Sequence, residues 1–94
     1  MFWLIMTWAI EFVPAAVREL KKLDKQVAQR ILTVLHERIA PLDNPRSIGE
    51  ALRGNRLGEF WKYRIGDYRI IANIEDKTLT IVVLRVGNRR AIYR

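Results

Sequence analysis

Three cationic side chains crowd one short, aromatic-rich stretch of this 94-residue chain, GEFWKYRIGDYRI, at residues 58–70. The cations are Lys62, Arg64 and Arg69, and the acidic residues of the stretch are Glu59 and Asp67. The planar guanidinium of arginine matches a phosphate group in bidentate contact. The stretch therefore predicts a site for a ligand that carries phosphate.

The alternation of side chains along two strands predicts that the three cations share one face of a sheet. A two-residue loop of Gly66 and Asp67 suits a type II′ hairpin turn, which places Arg64 directly opposite Arg69. Because side chains alternate across a strand, the same register puts Lys62 on the face of the two arginines. The opposite face is expected to join the core through Trp61, Tyr63, Ile65, Tyr68, Ile70, Ala72, Ile74, Leu79, Ile81 and Val83.

Two interpretations of the facing arginines remain open at this point. Like charges directly opposite each other destabilise a sheet. The side chains could splay into solvent or pair with Glu59 and Asp67, as most surface charges do. Alternatively, the anionic ligand supplies the missing negative charge, and this is the interpretation that we favour.

The C-terminal stretch VLRVGNRRAIYR adds further candidates just past the last predicted strand: Arg89, Arg90, Tyr93 and Arg94. The arginines add phosphate contacts, and the tyrosine could stack on a base or donate a proton. If the phosphate ligand is RNA, its cleavage by the neighbouring 2′-hydroxyl requires a general base in addition to these phosphate contacts. The single histidine, His36, falls on a predicted helix away from the cations. Because nearby like charges disfavour a protonated amine in general, we take Lys62, which lies among the arginines in the sequence, as the candidate base.

Charge and composition narrow the class of partner. The net charge is +7, and residues 56–94 hold nine Lys and Arg against four Asp and Glu. A polyanionic partner follows, whether nucleic acid, an acidic protein or an anionic membrane surface, although a merely basic domain remains the alternative. The chain has no cysteine and one histidine, so thiolate or multi-histidine metal sites and histidine-based catalytic triads are poorly supported. We expect no metal, no cofactor and a reducing, cytoplasmic location.

Length and apolar patterning predict a single domain over residues 1–94. The opening run MFWLIMTWAI is shorter than the ~20 residues of a membrane span and lacks the basic flank of a signal peptide. We therefore expect no membrane association and interpret residues 2–8 as a buried strand.

Two helices and three further strands are predicted after the first strand. Pro14 starts one helix, which runs to about residue 23, and Asp24 caps a second that Pro41 ends. Residues 41–59 are predicted to form a connection with a helical turn around 48–52. Strands are predicted to follow at 60–65, 68–74 and 79–86. The predicted fold class is α+β, in the order β-α-α-β-β-β, with an N-terminal αα-hairpin packed on a mostly antiparallel four-stranded sheet.

Three segments taken in order resemble a known family: VRELKKLDKQVAQRI, LRGNRLGEFWKYRIGDYRIIANIED and VLRVGNRRAIYR. Together they cover nearly the whole chain and are similar to the RelE/ParE toxin superfamily, most closely its RelE-like mRNA interferases. The resemblance implies a RelE-like microbial RNase fold and a toxin of a type II toxin–antitoxin pair. It further implies metal-independent cleavage of mRNA in the ribosomal A site, which inhibits translation. The implied partners are the ribosome, mRNA and a RelB-like antitoxin, bound in a toxin–antitoxin hetero-oligomer.

The resemblance also implies a role for individual residues. By position, Lys62 matches the proposed general base, Arg64 a second basic residue on the same strand, and Arg69 the arginine that stabilises the transition state. Arg89 matches an arginine that contacts phosphate and is a proposed acid, and Tyr93 matches the aromatic that stacks on the mRNA base.

One position departs from the pattern of the family. Asn88 stands where relatives often carry a basic residue, which weakens a proton-transfer role at that position.

Other functions fit the same resemblance. ParE-like members share the fold but bind DNA gyrase and cleave no RNA. A module that binds RNA or DNA without catalysis is a third alternative.

Overall fold

Two helices follow the first strand and lie next to each other in the chain. In the computed structural model, which describes residues 7–52 and 60–92, helix α1 spans Pro14–Lys21 and helix α2 spans Lys25–Val34. Pro14 is the first residue of α1, where its missing N–H costs no hydrogen bond. Asp24 occupies the predicted N-cap position, although its side chain makes no capping hydrogen bond within the described chain. A wider π-helical turn, Leu35–Ile39, prolongs α2 almost to Pro41.

Within the described residues, five strands form one mixed sheet. They are β1 at Ala9–Phe12, β2 at Glu50–Ala51, β3 at Trp61–Ile65, β4 at Tyr68–Glu75 and β5 at Thr80–Asn88. Their spatial order is β1-β5-β4-β3-β2, in which β1 runs parallel to β5 and the other pairs are antiparallel. The predicted α+β class is confirmed, with five strands in place of the expected four.

Among the described residues, the first strand lies later in the chain than predicted. It begins at Ala9, whereas the prediction covered residues 2–8, of which 2–6 lie outside the described residues. Trp8 is buried, and its backbone N–H donates to the carbonyl of Ala40 at 2.8 Å. The residues that follow pair with β5. Glu11 lies within β1, at an exposed position of an alternating pattern.

The predicted helical turn around residues 48–52 is wrong. Gly49 has φ +80°, and a Cβ atom there would lie 2.6 Å from the carbonyl oxygen of Lys62. The chain can approach β3 this closely because glycine has no side chain. The two residues that follow, Glu50 and Ala51, therefore continue as the edge strand β2.

The hairpin register predicted from the Gly66–Asp67 loop is confirmed. Gly66 has φ +59°, as the first position of a type II′ turn requires. Arg64 pairs with Arg69, and the neighbouring pairs of the hairpin follow the predicted alternation. The faces therefore divide as expected, except that three members of the predicted core set are only partly buried: Trp61, Tyr68 and Leu79.

The core fills the space between the helices and one face of the sheet. Cross-strand partners on β4 and β5 meet there as apolar pairs, and Ile31 of α2 and Leu35 of the π-helical turn pack against them. The buried sheet residues are Tyr63, Ile65, Ile70, Ala72, Ile74, Ile81, Val83 and Val86. The helices thus cover one side of the sheet, and the cations lie on the other.

The connection before β2 is fastened to β3 by two side chains. The hydroxyl of Tyr63 donates to the carbonyl of Pro45 at 2.6 Å, and the indole N–H of Trp61 donates to the carbonyl of Ile48 at 2.7 Å. Burial raises the pKa of Tyr63 to about 12, because the phenolate would lose its hydration. These bonds hold the edge strand in place.

An ion pair links the same connection to the turn between β4 and β5. Two guanidinium nitrogens of Arg46 lie 3.0 and 3.1 Å from the two carboxylate oxygens of Asp76. The guanidinium lowers the pKa of that carboxyl group by direct hydrogen bonding. Residues 45–48 of the connection are therefore tied both to β3 and to the turn between β4 and β5.

Helix α1 holds the part of β5 that extends beyond β1. Glu19 accepts hydrogen bonds from the Nε of Arg85 at 3.0 Å and from the backbone N–H of Val86 at 2.9 Å. A register shift opposite Ile71 and Ala72 lies beside these residues. The bonds satisfy backbone that β1 is too short to pair, and they fix the strand that leads to the C-terminal arginines.

Candidate active site

Lys62, Arg64 and Arg69 lie on the face of the sheet opposite the helices, which we call the cationic face. Arg64 and Arg69 are direct cross-strand partners, and Lys62 lies two residues before Arg64 on β3. On the far side of β4, Arg69 pairs with Gly87 of β5. Arg64, Arg69 and Gly87 thus form one row across three strands. The sequence prediction that the three cations share a face is confirmed.

Arg69 is buried, with 6% of its surface exposed. Its Nη1 donates to the carbonyls of Gly66 at 3.0 Å and Tyr68 at 2.9 Å. The interpretation in which this side chain splays into solvent is therefore wrong for Arg69. It has no carboxylate partner within residues 7–52 and 60–92, so the carbonyl bonds orient a charge that remains uncompensated in that part of the chain.

Arg64 is exposed, in contrast to its partner. The described residues hold no ion pair between Arg64 and Asp67, whereas Glu59 lies outside them. The interpretation that these arginines pair with Asp67 is thus not supported. The exposed guanidinium and the buried one together present two positive charges on the same row.

An acidic residue that the sequence reasoning missed lies beside Lys62. The pairing of β2 with β3 sets Glu50 opposite Lys62, and the Oε1 to Nζ distance is 3.9 Å. The carboxylate is more than half exposed and the distance is long, so the ion pair contributes little to stability. A strand of two residues leaves no periodic pattern in a sequence, and for this reason the pairing was not foreseen.

The C-terminal arginines stand next to the hairpin turn. Arg89 and Arg90 are exposed, and the backbone N–H of Arg89 donates to the carbonyl of Asp67 at 2.8 Å. This bond brings the end of β5 to the loop that joins β3 and β4. Tyr93 and Arg94, also predicted as site residues, lie outside the described residues.

A further guanidinium reaches the hairpin turn from the helical layer. The Nη atoms of Arg30, on α2, lie 3.3 and 3.4 Å from the position that a Cβ atom would take on Gly66. Gly66 is the residue whose carbonyl accepts from Arg69. Positive charge therefore continues around the end of the sheet. The contact between Arg30 and Gly66 could not be predicted from helical periodicity alone.

His36 lies on the π-helical turn and is exposed, as expected for a residue outside the site. Within the described ranges no group of three or more His, Asp and Glu side chains could hold a metal ion. No helix among the described residues is long and apolar enough to span a bilayer. The arrangement on the cationic face is suited to binding a phosphate through two arginines, with an amine and a carboxylate at its edge.

Comparison with known proteins gives consistent relatives. The family described as ParE toxin of type II toxin-antitoxin system, parDE, matches residues 10–93. Toxin RelG of Mycobacterium tuberculosis is 32% identical over 89 residues, which cover 95% of this chain and 99% of RelG. Toxin RelE of the same organism is 28% identical over 85 residues, covering 90% of this chain and 84% of that toxin.

Solved structures agree with these relatives. A chain of the toxin–antitoxin complex RelBE2 from Mycobacterium tuberculosis matches with a TM-score of 0.80 and 27% identity, over 90% of this chain and 94% of that chain. The isolated Escherichia coli RelE toxin matches in fold with a TM-score of 0.66 and 22% identity, over 92% and 90% of the two chains. The match over residues 10–93 and the RelG relationship place this chain in the RelE/ParE superfamily of type II toxin–antitoxin toxins.

Proposed function

We propose that the protein is a ribosome-dependent endoribonuclease that cleaves mRNA in the A site and so inhibits translation. The observation that carries the proposal is the row of Arg64 and Arg69, two arginines held opposite each other without a carboxylate partner in the described part of the chain. A phosphodiester bound there would replace their repulsion with two charge-assisted contacts.

The reaction assigned to this face is attack of a 2′-oxygen on the adjacent phosphorus. Lys62 takes the proton of the 2′-hydroxyl, the new P–O bond closes a 2′,3′-cyclic phosphate, and the bond to the 5′-oxygen breaks. Arg64 and Arg69 bind the phosphate oxygens, on which negative charge grows in the transition state. Arg89 contacts the phosphate and is the candidate donor of the proton that the leaving 5′-oxygen takes up, and Tyr93 stacks on the base. Arg90 and Arg94 add phosphate contacts.

An antitoxin is the second proposed partner. The structural relatives include the RelBE2 complex and the intact Escherichia coli RelBE toxin–antitoxin complex. We expect this chain to form a hetero-oligomer with a RelB-like antitoxin, in the cytoplasm where its ribosomal target is found. The net charge of +7 favours an acidic or amphipathic segment that folds as it binds.

Primer extension on mRNA from cells that briefly express the protein tests the nuclease function. Wild type should produce cuts within translated regions, and Arg69→Ala and Lys62→Met should abolish them. Arg38→Gln removes an exposed charge on the helical layer and should leave the cuts unchanged. Because Arg69 is buried, circular dichroism must show that its variant is folded. Intact mRNA with folded wild-type protein would refute the proposal.

Poisoning of DNA gyrase is the alternative, because the matched family is described as the ParE toxin. It predicts intact mRNA together with induction of the DNA-damage response in the same cells. A non-catalytic nucleic-acid-binding module instead predicts binding that falls steeply with salt and persists in Lys62→Met.

A further inference from the structure

From the last residue of β5 onward the backbone folds into a short turn, residues 88–92, which we call the C-terminal turn. The backbone N–H groups of residues 89–92 donate four hydrogen bonds. Asn88 accepts three of them, two at its backbone carbonyl and one at its side-chain Oδ1. The four bonds are Arg89 to Asp67 O at 2.8 Å, Arg90 to Asn88 Oδ1 at 2.9 Å, Ala91 to Asn88 O at 2.9 Å and Ile92 to Asn88 O at 3.0 Å.

The C-terminal turn packs back onto the cationic face. Ile92 is 3% exposed, and its Cδ1 lies 3.3 Å from the position of a Cβ atom on Gly87. Gly87 is the cross-strand partner of Arg69. The isoleucine side chain therefore lies above the row that contains both facing arginines, in space that a larger residue at 87 would occupy.

We propose that Asn88 is a positioning residue, which holds the C-terminal turn so that Arg89 and Arg90 stay next to the hairpin turn that also binds the Arg69 side chain. The inference rests on the proposed ribonuclease function. The Oδ1 contact to the N–H two residues on has the geometry of an N-cap bond, here at the start of a single hydrogen-bonded turn, and an uncharged side chain makes it. Loss of this bond leaves every charge of the site in place and changes only how long the turn stays closed.

Three variants of the full-length chain separate this role from a general loss of structure. Asn88→Ala removes the acceptor, whereas Asn88→Ser restores a neutral N-cap residue of similar quality. Asn44→Ala is the matched control, since Asn44 makes the same 2.9 Å side-chain bond to the N–H of Arg46 in a different turn. Two measurements are compared: amide hydrogen exchange at residues 90–92, and single-turnover cleavage on ribosomes programmed with mRNA and an empty A site.

Asn88→Ala should accelerate exchange at residues 90–92 by about fivefold, the typical effect of losing an N-cap. The cleavage rate at saturating ribosomes should fall by up to the same factor, because cleavage follows the closed fraction of the turn, while the half-saturating concentration stays unchanged because no charge is lost. Asn88→Ser should recover both values, and Asn44→Ala should leave both unaltered.

Two outcomes overturn the inference while leaving the ribonuclease intact. Exchange that does not change in Asn88→Ala shows that the side chain does not hold the turn. Cleavage that does not change while exchange accelerates shows that the turn does not position the site. If wild type fails to cleave, the proposed function itself fails, and the positioning role in cleavage fails with it.

Discussion

Replacement of Arg64 by glutamine is expected to stabilise the protein and weaken its binding of phosphate at the same time. Arg64 and Arg69 are direct cross-strand partners, and Arg69 is buried with two backbone carbonyls but no carboxylate partner in the described ranges. Glutamine keeps most of the length and polarity of the side chain. The change therefore removes the repulsion with little other effect on the strand.

The expected magnitude follows from the geometry. Like charges directly opposite on a sheet cost roughly 0.2–1 kcal/mol, so a gain of about 0.5 kcal/mol is the central expectation. In a domain of this size 1 kcal/mol shifts Tm by roughly 4–8 °C, and the variant should melt about 2–4 °C higher at low ionic strength. At about 1 M salt the screening length falls to roughly 3 Å, and the difference should nearly vanish.

Scanning calorimetry at low and high salt, with and without inorganic phosphate, measures both effects. Phosphate stabilises the folded state according to its affinity, so it should raise the Tm of wild type more than that of Arg64→Gln. Arg38→Gln, which removes an exposed charge on the helical layer, should lack both the gain and the altered phosphate response. An Arg64→Gln variant that melts at or below the wild-type temperature at low salt would refute the reasoning.

Three other perturbations test the surroundings of the site. Burial raises the pKa of Tyr63 from 10.0 in the unfolded chain to about 12 in the folded protein. The free energy of unfolding should therefore decline as pH rises from the unfolded to the folded value, by at most about 2.7 kcal/mol. Denaturant titration should find this decline absent in Tyr63→Phe. The lowered pKa of Asp76 beside Arg46 means that its stabilisation is lost as pH falls through the folded pKa, and Asp76→Asn should flatten that acid dependence. Glu50→Gln removes a charge 3.9 Å from the ammonium of Lys62 and should tighten RNA oligomer binding at low salt by up to about fivefold, measured by fluorescence anisotropy; unchanged binding would place the RNA elsewhere.

The hairpin at the centre of the fold could be predicted because local rules determine it. A two-residue loop that contains glycine, flanked by alternating apolar and charged residues, admits one register that buries the apolar set. The two outer strands could not be placed in the same way. Strand β1 pairs with β5 from the far end of the chain, and β2 depends on the positive φ of Gly49. Both are decided by tertiary contacts.

The candidate site was predicted in part for the same reason. Strand parity identifies which side chains share a face, but it does not show that backbone carbonyls of a turn would bury Arg69. Glu50 and Arg30 reach the site from elements distant in the sequence. Asn88 stood out only as a departure from a basic position, whereas its role as a hydrogen-bond acceptor depends on the path of the C-terminal turn.

The fold fixes the side chain of Arg69 but leaves that of Arg64 exposed. Comparing the two positions therefore distinguishes the effect of a fixed side-chain orientation on cleavage from the effect of positive charge. The Nη1 of Arg69 is fixed by two carbonyls before any ligand binds, whereas Arg64 is exposed. A lysine at 69 keeps the charge but cannot offer one edge to the carbonyls and another to a phosphate, because its ammonium is a single point donor. We therefore expect Arg69→Lys to slow saturated cleavage by about a hundredfold, the scale of losing one preorganised donor, while Arg64→Lys retains most of the rate. Single-turnover assays on folded variants measure both, and equal tolerance at the two positions would show that charge alone, and not the fixed orientation of Arg69, supports the reaction.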